Sequence, residues 1–190
     1  GYIHEQLGDF TFRISPRAFY QINPVQTEVL YRTALEYAGL TGTETVVDAY
    51  CGTGTIGIFA SRDAARVIGV ENNRDAVRDA ISNAKANRAD NVRFYAADAS
   101  DFLQGMAKAG EHADVVILDP PRAGSDERFL SAVTTVAPER VVYVSCNPET
   151  LARDLCYLTR HGYRVERIQP VDMFPHTEHI ECVVRLARSK

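Results

Sequence analysis

From residue 45 to residue 160 the chain keeps one rhythm: a short apolar run, a turn, then a stretch with helical spacing. TVVDAY precedes GIFASR, RVIGVE precedes DAVRDAISNAKAN, VRFYAAD precedes DFLQGMAK, DVVILD precedes DERFLSAVT, and VVYVSC precedes PETLARDLCYLTR. Apolar runs without polar alternation belong to strands covered on both faces, and parallel neighbours need a crossover helix between them. The expected fold is therefore α/β, a doubly wound and mostly parallel sheet. After residue 160 the rhythm stops: YRVERIQPVDMF and HIECVVRLAR are strand-like with no helix between them. A closing hairpin follows, with one antiparallel strand at the end of a seven-stranded sheet.

Ahead of this region, GYIHEQLGDFTFRIS is strand-like, and Asn23-Pro24-Val25-Gln26 resembles a capping box opening the helix VQTEVLYRTALEYAG, which ends near Gly39. The chain has 190 residues, enough for one core and short for two, so residues 1–190 are expected to form one catalytic domain with 1–40 as an N-terminal strand and helix extension. A net charge of -4 gives no global attraction to nucleic acid, so RNA binding would need a local patch or another domain. Four cysteines without a C-x-x-C pair fit a reducing cytoplasm better than a disulfide framework. No run of 18 apolar residues and no leader pattern is found, so no membrane association is expected.

The first strand runs into DAYCGTGTIG, where Gly52, Gly54 and Gly57 form G-x-G-x-x-G between strand and helix. A nicotinamide dinucleotide would lay its pyrophosphate on such a turn. Asp48, four residues before Gly52, argues instead for a cofactor with a cationic end, because a carboxylate there repels pyrophosphate and attracts an ammonium or sulfonium. S-adenosylmethionine carries both. Glu71 at the end of the second strand suits ribose hydroxyls, which either cofactor offers; Asp98 after the third is placed for an adenine edge and also for a helix N-cap.

Asp119-Pro120-Pro121-Arg122-Ala123-Gly124 ends the fourth strand at the crevice where open α/β sheets bind ligands, and its arginine can contact a phosphate or fix a carboxylate. Cys146 ends the fifth strand beside it, followed by Asn147 as N-cap and Pro148 at the first helical position. That junction favours a partly exposed, activated thiolate. Cys156 follows Leu151 and Leu155 in its helix, and Cys51 is tucked into the glycine turn, so both read as buried small hydrophobes. Strand alternation in HIECVV sends Cys182 to the core and keeps His179 with Glu181, which argues against a metal site built from His176, His179 and Cys182; no metal is expected.

DPPRAG, VVYVSCNPET and VDMFPHTEHIE together resemble the two signature regions of the RNA 5-methyluridine methyltransferases, and FRISPRAFYQINPVQTEVLY and DAYCGTGTIG resemble that family's upstream segments in order and spacing. The likeness is greatest to the bacterial 23S rRNA uracil-5 methyltransferases, with the tRNA members next. It implies the class I S-adenosylmethionine-dependent, Rossmann-like fold, Cys146 as nucleophile, Glu181 as base, and Gln21, Tyr50, Thr55, Glu71, Asp98 and Asp119 in the cofactor site. Asp48, Gly52 and Gly54 join that site from the charge and glycine arguments. The implied partner is RNA, 23S rRNA first, presenting a flipped or single-stranded uridine in the cytoplasm. Members of the family usually carry an N-terminal RNA-binding barrel, and some an iron-sulfur cluster, and this chain is expected to correspond to the catalytic domain without them. The chain is thus expected to bind cofactor without efficient turnover on RNA. A non-catalytic RNA-binding or ribosome-assembly module and a nicotinamide-dependent dehydrogenase are the competing readings.

Overall fold

The computed structural model describes residues 1–14, 24–173 and 180–190, the side chain of Pro24 excepted. The chain opens with an antiparallel hairpin, β1 (Ile3–Leu7) and β2 (Phe10–Ile14), turning at Gly8 and Asp9. Its pattern is strictly alternating, and Leu7, Phe10, Phe12 and Ile14 are buried against Ile58, Phe59 and Ala84. A two-stranded hairpin is marginal alone, so this aromatic contact, with Phe10 and Phe59 centroids 4.6 Å apart, is what secures it. Helix α1 (Pro24–Ala38) matches the expected helix; Asn23 of the capping box lies outside the described residues.

The repeating region forms β3 (Thr45–Ala49), α2 (Thr55–Ala60), β4 (Arg66–Glu71), α3 (Arg74–Ala86), β5 (Val92–Ala96), α4 (Ala99–Lys108), β6 (Val115–Leu118), α5 (Glu127–Val136), β7 (Arg140–Ser145) and α6 (Pro148–Arg160), closed by β8 (Tyr163–Asp172) and β9 (Ile180–Arg188). The sheet order is β5-β4-β3-β6-β7-β9-β8. One face carries α4, α5 and α6 over Val47, Val116, Leu118, Val141 and Tyr143; the other carries α1 and α2 over Val46, Val115, Ile117, Val142 and Val144. Successive strand residues point to opposite faces and both are covered, which is why these strands are apolar throughout.

The terminal hairpin departs from expectation in one respect. β9, antiparallel to both neighbours, does not sit at the edge but between β7 and β8. Its two faces are therefore covered, and Val183 and Val184 are both fully buried. β8 is the edge instead, exposed from Arg164 to Pro170 and bulged between Val165 and Arg167, a distortion that blunts an edge against further pairing.

The strand order reverses between β3 and β6. Beyond the carboxyl ends of these strands lies the crevice where doubly wound sheets bind ligands.

Candidate active site

Beneath this crevice, Asp48 points down into the core rather than up to solvent. It is 1% exposed; its Oδ2 accepts the Gly57 N–H at 2.9 Å, while Oδ1 has no partner among the described residues. Gly57 is obligatory because a Cβ would stand 2.9 Å from that carboxyl oxygen. Burial first, then the charge of Asp119, pushes the Asp48 carboxyl up to about 8.

The turn above it is braced from several sides. Gly52 and Gly54 both have positive φ, and Gly52 N–H donates to Glu71 Oε1 at 3.2 Å. Glu71 also accepts from Asn73 N at 2.6 Å, which leaves each oxygen with capacity for a ligand hydroxyl. Asn83 of α3, only 2% exposed, donates from Nδ2 to Thr53 O and accepts Arg13 N–H at Oδ1, so one buried amide joins the hairpin to the turn. Tyr50 holds a left-handed φ of 59° and packs its ring on Phe129, and burial lifts its phenol to about 12. Thr55 begins α2. Asp98 is the N-cap of α4, accepting from Asp101 N at 2.9 Å, and remains half-exposed toward the mouth. Gln21 lies outside the described residues.

On the other side of the reversal, Cys146 opens into a cavity of about 540 Å³ lined also by Arg122, Ser145, Pro148, Pro170, Ile180 and Cys182. Larger cavities lie between α1 and β8 and between α5 and α6, away from the strand ends. The β7–β9 register ends at the pair Ser145 and Cys182, so Cys146 and Glu181 each lie next to that last pair, and the Glu181 charge acts on the thiol. Glu181 is half-buried and pushed up to about 7 by burial. Asp119, half-buried after β6, is likewise held at about 7, by burial and the charge of Glu181.

The thiol itself corrects the sequence reading. The helix N-terminus was expected to favour the thiolate, yet the Cys146 pKa is raised: burial, Glu181 and Asp119 outweigh the Arg122 guanidinium. Burial weighs most, and two carboxylates from other strands add to it. Cys182 is also corrected. It is half-buried and, while touching the core, lines the Cys146 cavity, because an interior β9 has no solvent face to set a simple alternation. Cys156 is exposed, since the buried side of α6 is Leu151, Asp154 and Leu158. Cys51 is buried as expected.

Four residues escaped the sequence reading. Tyr31 of α1 is half-buried with its ring against Phe59, and burial first, then the charges of Asp119, Asp48 and Glu181, push its phenol up. Asn83 and Asn87, four apart in a helix, could have been noticed as amides on one face. Asp154 is a carboxylate placed in phase with Leu151 and Leu158, visible only once the helix phase is known. No group of three or more His, Cys, Asp or Glu side chains among the described residues is arranged to hold a metal, and His176 and His179 lie outside those residues.

Asp48, Glu71, Asp98 and Asp119 stand at or beyond the ends of successive strands β3, β4, β5 and β6. The carboxylates of Glu71, Asp98 and Asp119 at this mouth fit a cationic ligand and oppose a pyrophosphate, whereas Asp48, buried and mostly neutral, braces the turn from beneath.

This sheet and crevice are those of the Rossmann-like methyltransferases. Precorrin-6y C5,15-methyltransferase of Geobacter metallireducens shares the fold at a TM-score of 0.72 and 19% identity, over 85% of this chain and 89% of that one. The profile of the tRNA (uracil-5-)-methyltransferases matches residues 2–189, and the chain belongs to that family. An uncharacterised RNA methyltransferase of Bacillus cereus is 51% identical over 187 residues, 98% of this chain, and one of Halalkalibacterium halodurans is 52% identical over 185 residues, 97% of this chain. The chain spans 41% and 40% of the length of these two relatives. The Pyrococcus abyssi tRNA (uracil-54, C5)-methyltransferase, solved in complex with S-adenosyl-L-homocysteine, superposes at a TM-score of 0.82 with 37% identity, over 98% of this chain and 44% of that one.

Proposed function

We propose that this chain is the catalytic domain, residues 1–190 with 1–40 as an extension, of an RNA (uracil-5-)-methyltransferase that uses S-adenosylmethionine. The observation that carries the reading is the convergence of Cys146, Glu181 and Asp119, from three strands, beside a cavity at the carboxyl end of the sheet. When bound, S-adenosylmethionine supplies an electrophilic methyl group on a sulfonium. Tyr50, Gly52, Gly54, Thr55, Glu71, Asp98, Asp119 and Gln21 would hold it, the carboxylates at the mouth favouring its cationic end, and Asp48 would support the turn from beneath through Gly57 N–H.

Carbon 5 of uracil is a weak nucleophile until electron density is driven into the ring. The Cys146 sulfur would bond to carbon 6 and move the carbon 5–carbon 6 pair toward the carbonyl as an enolate, making carbon 5 nucleophilic toward a methyl group whose bond to the sulfonium sulfur would break as the new bond forms. Glu181 removes the carbon 5 proton, the double bond reforms, and the carbon 6–sulfur bond breaks to return Cys146. With Glu181 and Asp119 both near 7, either carboxylate can accept the thiol proton as uracil arrives. The uridine must be flipped or unpaired for sulfur to reach carbon 6.

Likeness of the signature segments makes 23S rRNA the first target; tRNA, the substrate named for the Pyrococcus abyssi relative, is the second reading. With a net charge of -4, this chain is expected to rely on the rest of the protein for tight RNA binding. Cys146→Ala is expected to lose both methyl transfer and the covalent adduct with 5-fluorouridine RNA, assayed with the full-length protein. Retained transfer would refute the covalent route. Mapping 5-methyluridine in rRNA and tRNA from cells with and without the protein decides the target.

A further inference from the structure

We infer that Asp154 and Arg153 of α6 are positioning residues that hold the loop 122–125 against the helix and so set Arg122 at a fixed place beside Cys146. This inference rests on the reading of Cys146 as the nucleophile.

Asp154 is 1% exposed, and the chemistry above gives it no task. One of its oxygens accepts from Tyr143 Oη at 2.6 Å and from Ser125 N at 2.9 Å; the other accepts from Arg153 Nε at 3.0 Å. Arg153 in turn donates from Nη2 to Ala123 O and Ser125 O, both at 2.9 Å. Arg122 O accepts from Asn147 Nδ2 at 3.0 Å and Thr150 Oγ1 at 3.1 Å. Gly124 completes the fit: its φ is +73°, and a Cβ would stand 2.8 Å from both Arg153 Nη2 and Asp154 Oδ2.

Apart from the turn bond from Gly124 N–H to Pro121 O at 2.8 Å, these backbone contacts of the loop are made by the first turns of α6 and its N-cap. Cys146 immediately precedes that N-cap, so fastening the loop to α6 also fastens Arg122 relative to the thiol. The charged groups facing the thiol are Glu181 from β9, Asp119 from β6 and Arg122 from the loop, and Arg122 alone of these favours the thiolate. Its influence falls with distance and with exposure to water, and the Arg122 side chain is exposed. A loop free to swing would leave the two carboxylates unopposed.

The test is the pH profile of Cys146 alkylation by iodoacetamide, read on the peptide containing Cys146 so that exposed Cys156 does not interfere. Asp154→Asn keeps acceptors for Tyr143 and Ser125 but turns an amide NH2 toward Arg153, releasing it. Arg122→Gln removes the cation itself. Both are expected to move the alkylation midpoint upward, slowing reaction at pH 8 by about threefold or more. Tyr143→Phe, which perturbs the buried core while leaving Arg153 in place, is expected to keep the wild-type profile. Thr150→Val, which removes one of the two donors to Arg122 O along with the 3.3 Å bond from Thr150 Oγ1 to Asn147 O, shifts the midpoint in the same direction and serves if Asp154→Asn fails to fold. A wild-type profile in folded Asp154→Asn and in Thr150→Val, or an equal shift in Tyr143→Phe, overturns the inference. Methyl transfer by Cys146→Ala would instead overturn the nucleophile reading, whatever the profiles show.

Discussion

Replacing Asp48 with Asn removes an ionisation that the fold resists. The carboxyl is pushed from 3.8 to about 8 in the folded chain, mainly by burial. Between those values the native state keeps the proton while the unfolded chain releases it, so the unfolded state binds fewer protons and stability falls as pH rises. Each pH unit costs about 1.4 kcal/mol, and from pH 5 to pH 8 the total is roughly 4 kcal/mol as an upper figure. The Asn variant retains an acceptor for Gly57 N–H and lacks this slope. Other titrating groups are common to both proteins and largely cancel in the difference.

Urea unfolding at several pH values, followed by circular dichroism, measures the difference directly. The variant is expected to gain on the wild type steadily as pH rises, by several kcal/mol at pH 8 relative to pH 5. Parallel stability curves would refute the claim that Asp48 is held protonated beneath the turn. Because the Asp48 carboxyl is buried and mostly neutral at pH 7, the same substitution is expected to leave binding of S-adenosylmethionine close to wild type in calorimetry at that pH, and a large loss would show that Asp48 presents a charge to the cofactor.

Two further expectations concern neighbouring residues. Glu181→Gln should allow attack and methylation but stall proton removal, so a protein–RNA adduct accumulates; with Glu181 at about 7, wild-type turnover should rise as pH increases through neutrality, and loss of that limb in the variant tests the assignment. Asn83→Leu should release both Thr53 O and the Arg13 N–H, lowering stability by about 1–3 kcal/mol in urea unfolding and weakening binding of S-adenosylhomocysteine, whereas a variant with unchanged affinity would show that the turn holds itself.

The alternation of apolar runs and helical stretches determined the fold class from sequence alone, because strands buried on both faces must be apolar at every position and parallel strands must be joined by crossovers. The sites of Cys51, Asp98 as N-cap and Asn147 before Pro148 were legible for the same local reason: caps and turns are satisfied by residues within a few positions. The resemblance of DPPRAG, SCNP and the segment ending in Glu181 also indicated family membership before any geometry was known.

Only the tertiary structure decided the rest. It placed β9 inside the sheet and β8 at its edge, a choice between two antiparallel pairings that the strand pattern leaves equal. It turned Asp48 downward under Gly57, put Asp154 in the core and Cys156 in solvent, and joined Asn83 to Thr53 across the fold. It also reversed the expected state of Cys146, because local geometry beside a helix favours a thiolate while burial in the fold, and then the charges of Glu181 and Asp119 from distant strands, raise its pKa. Secondary structure follows from short-range periodicity; burial, charge and reactivity depend on what the folded chain brings alongside.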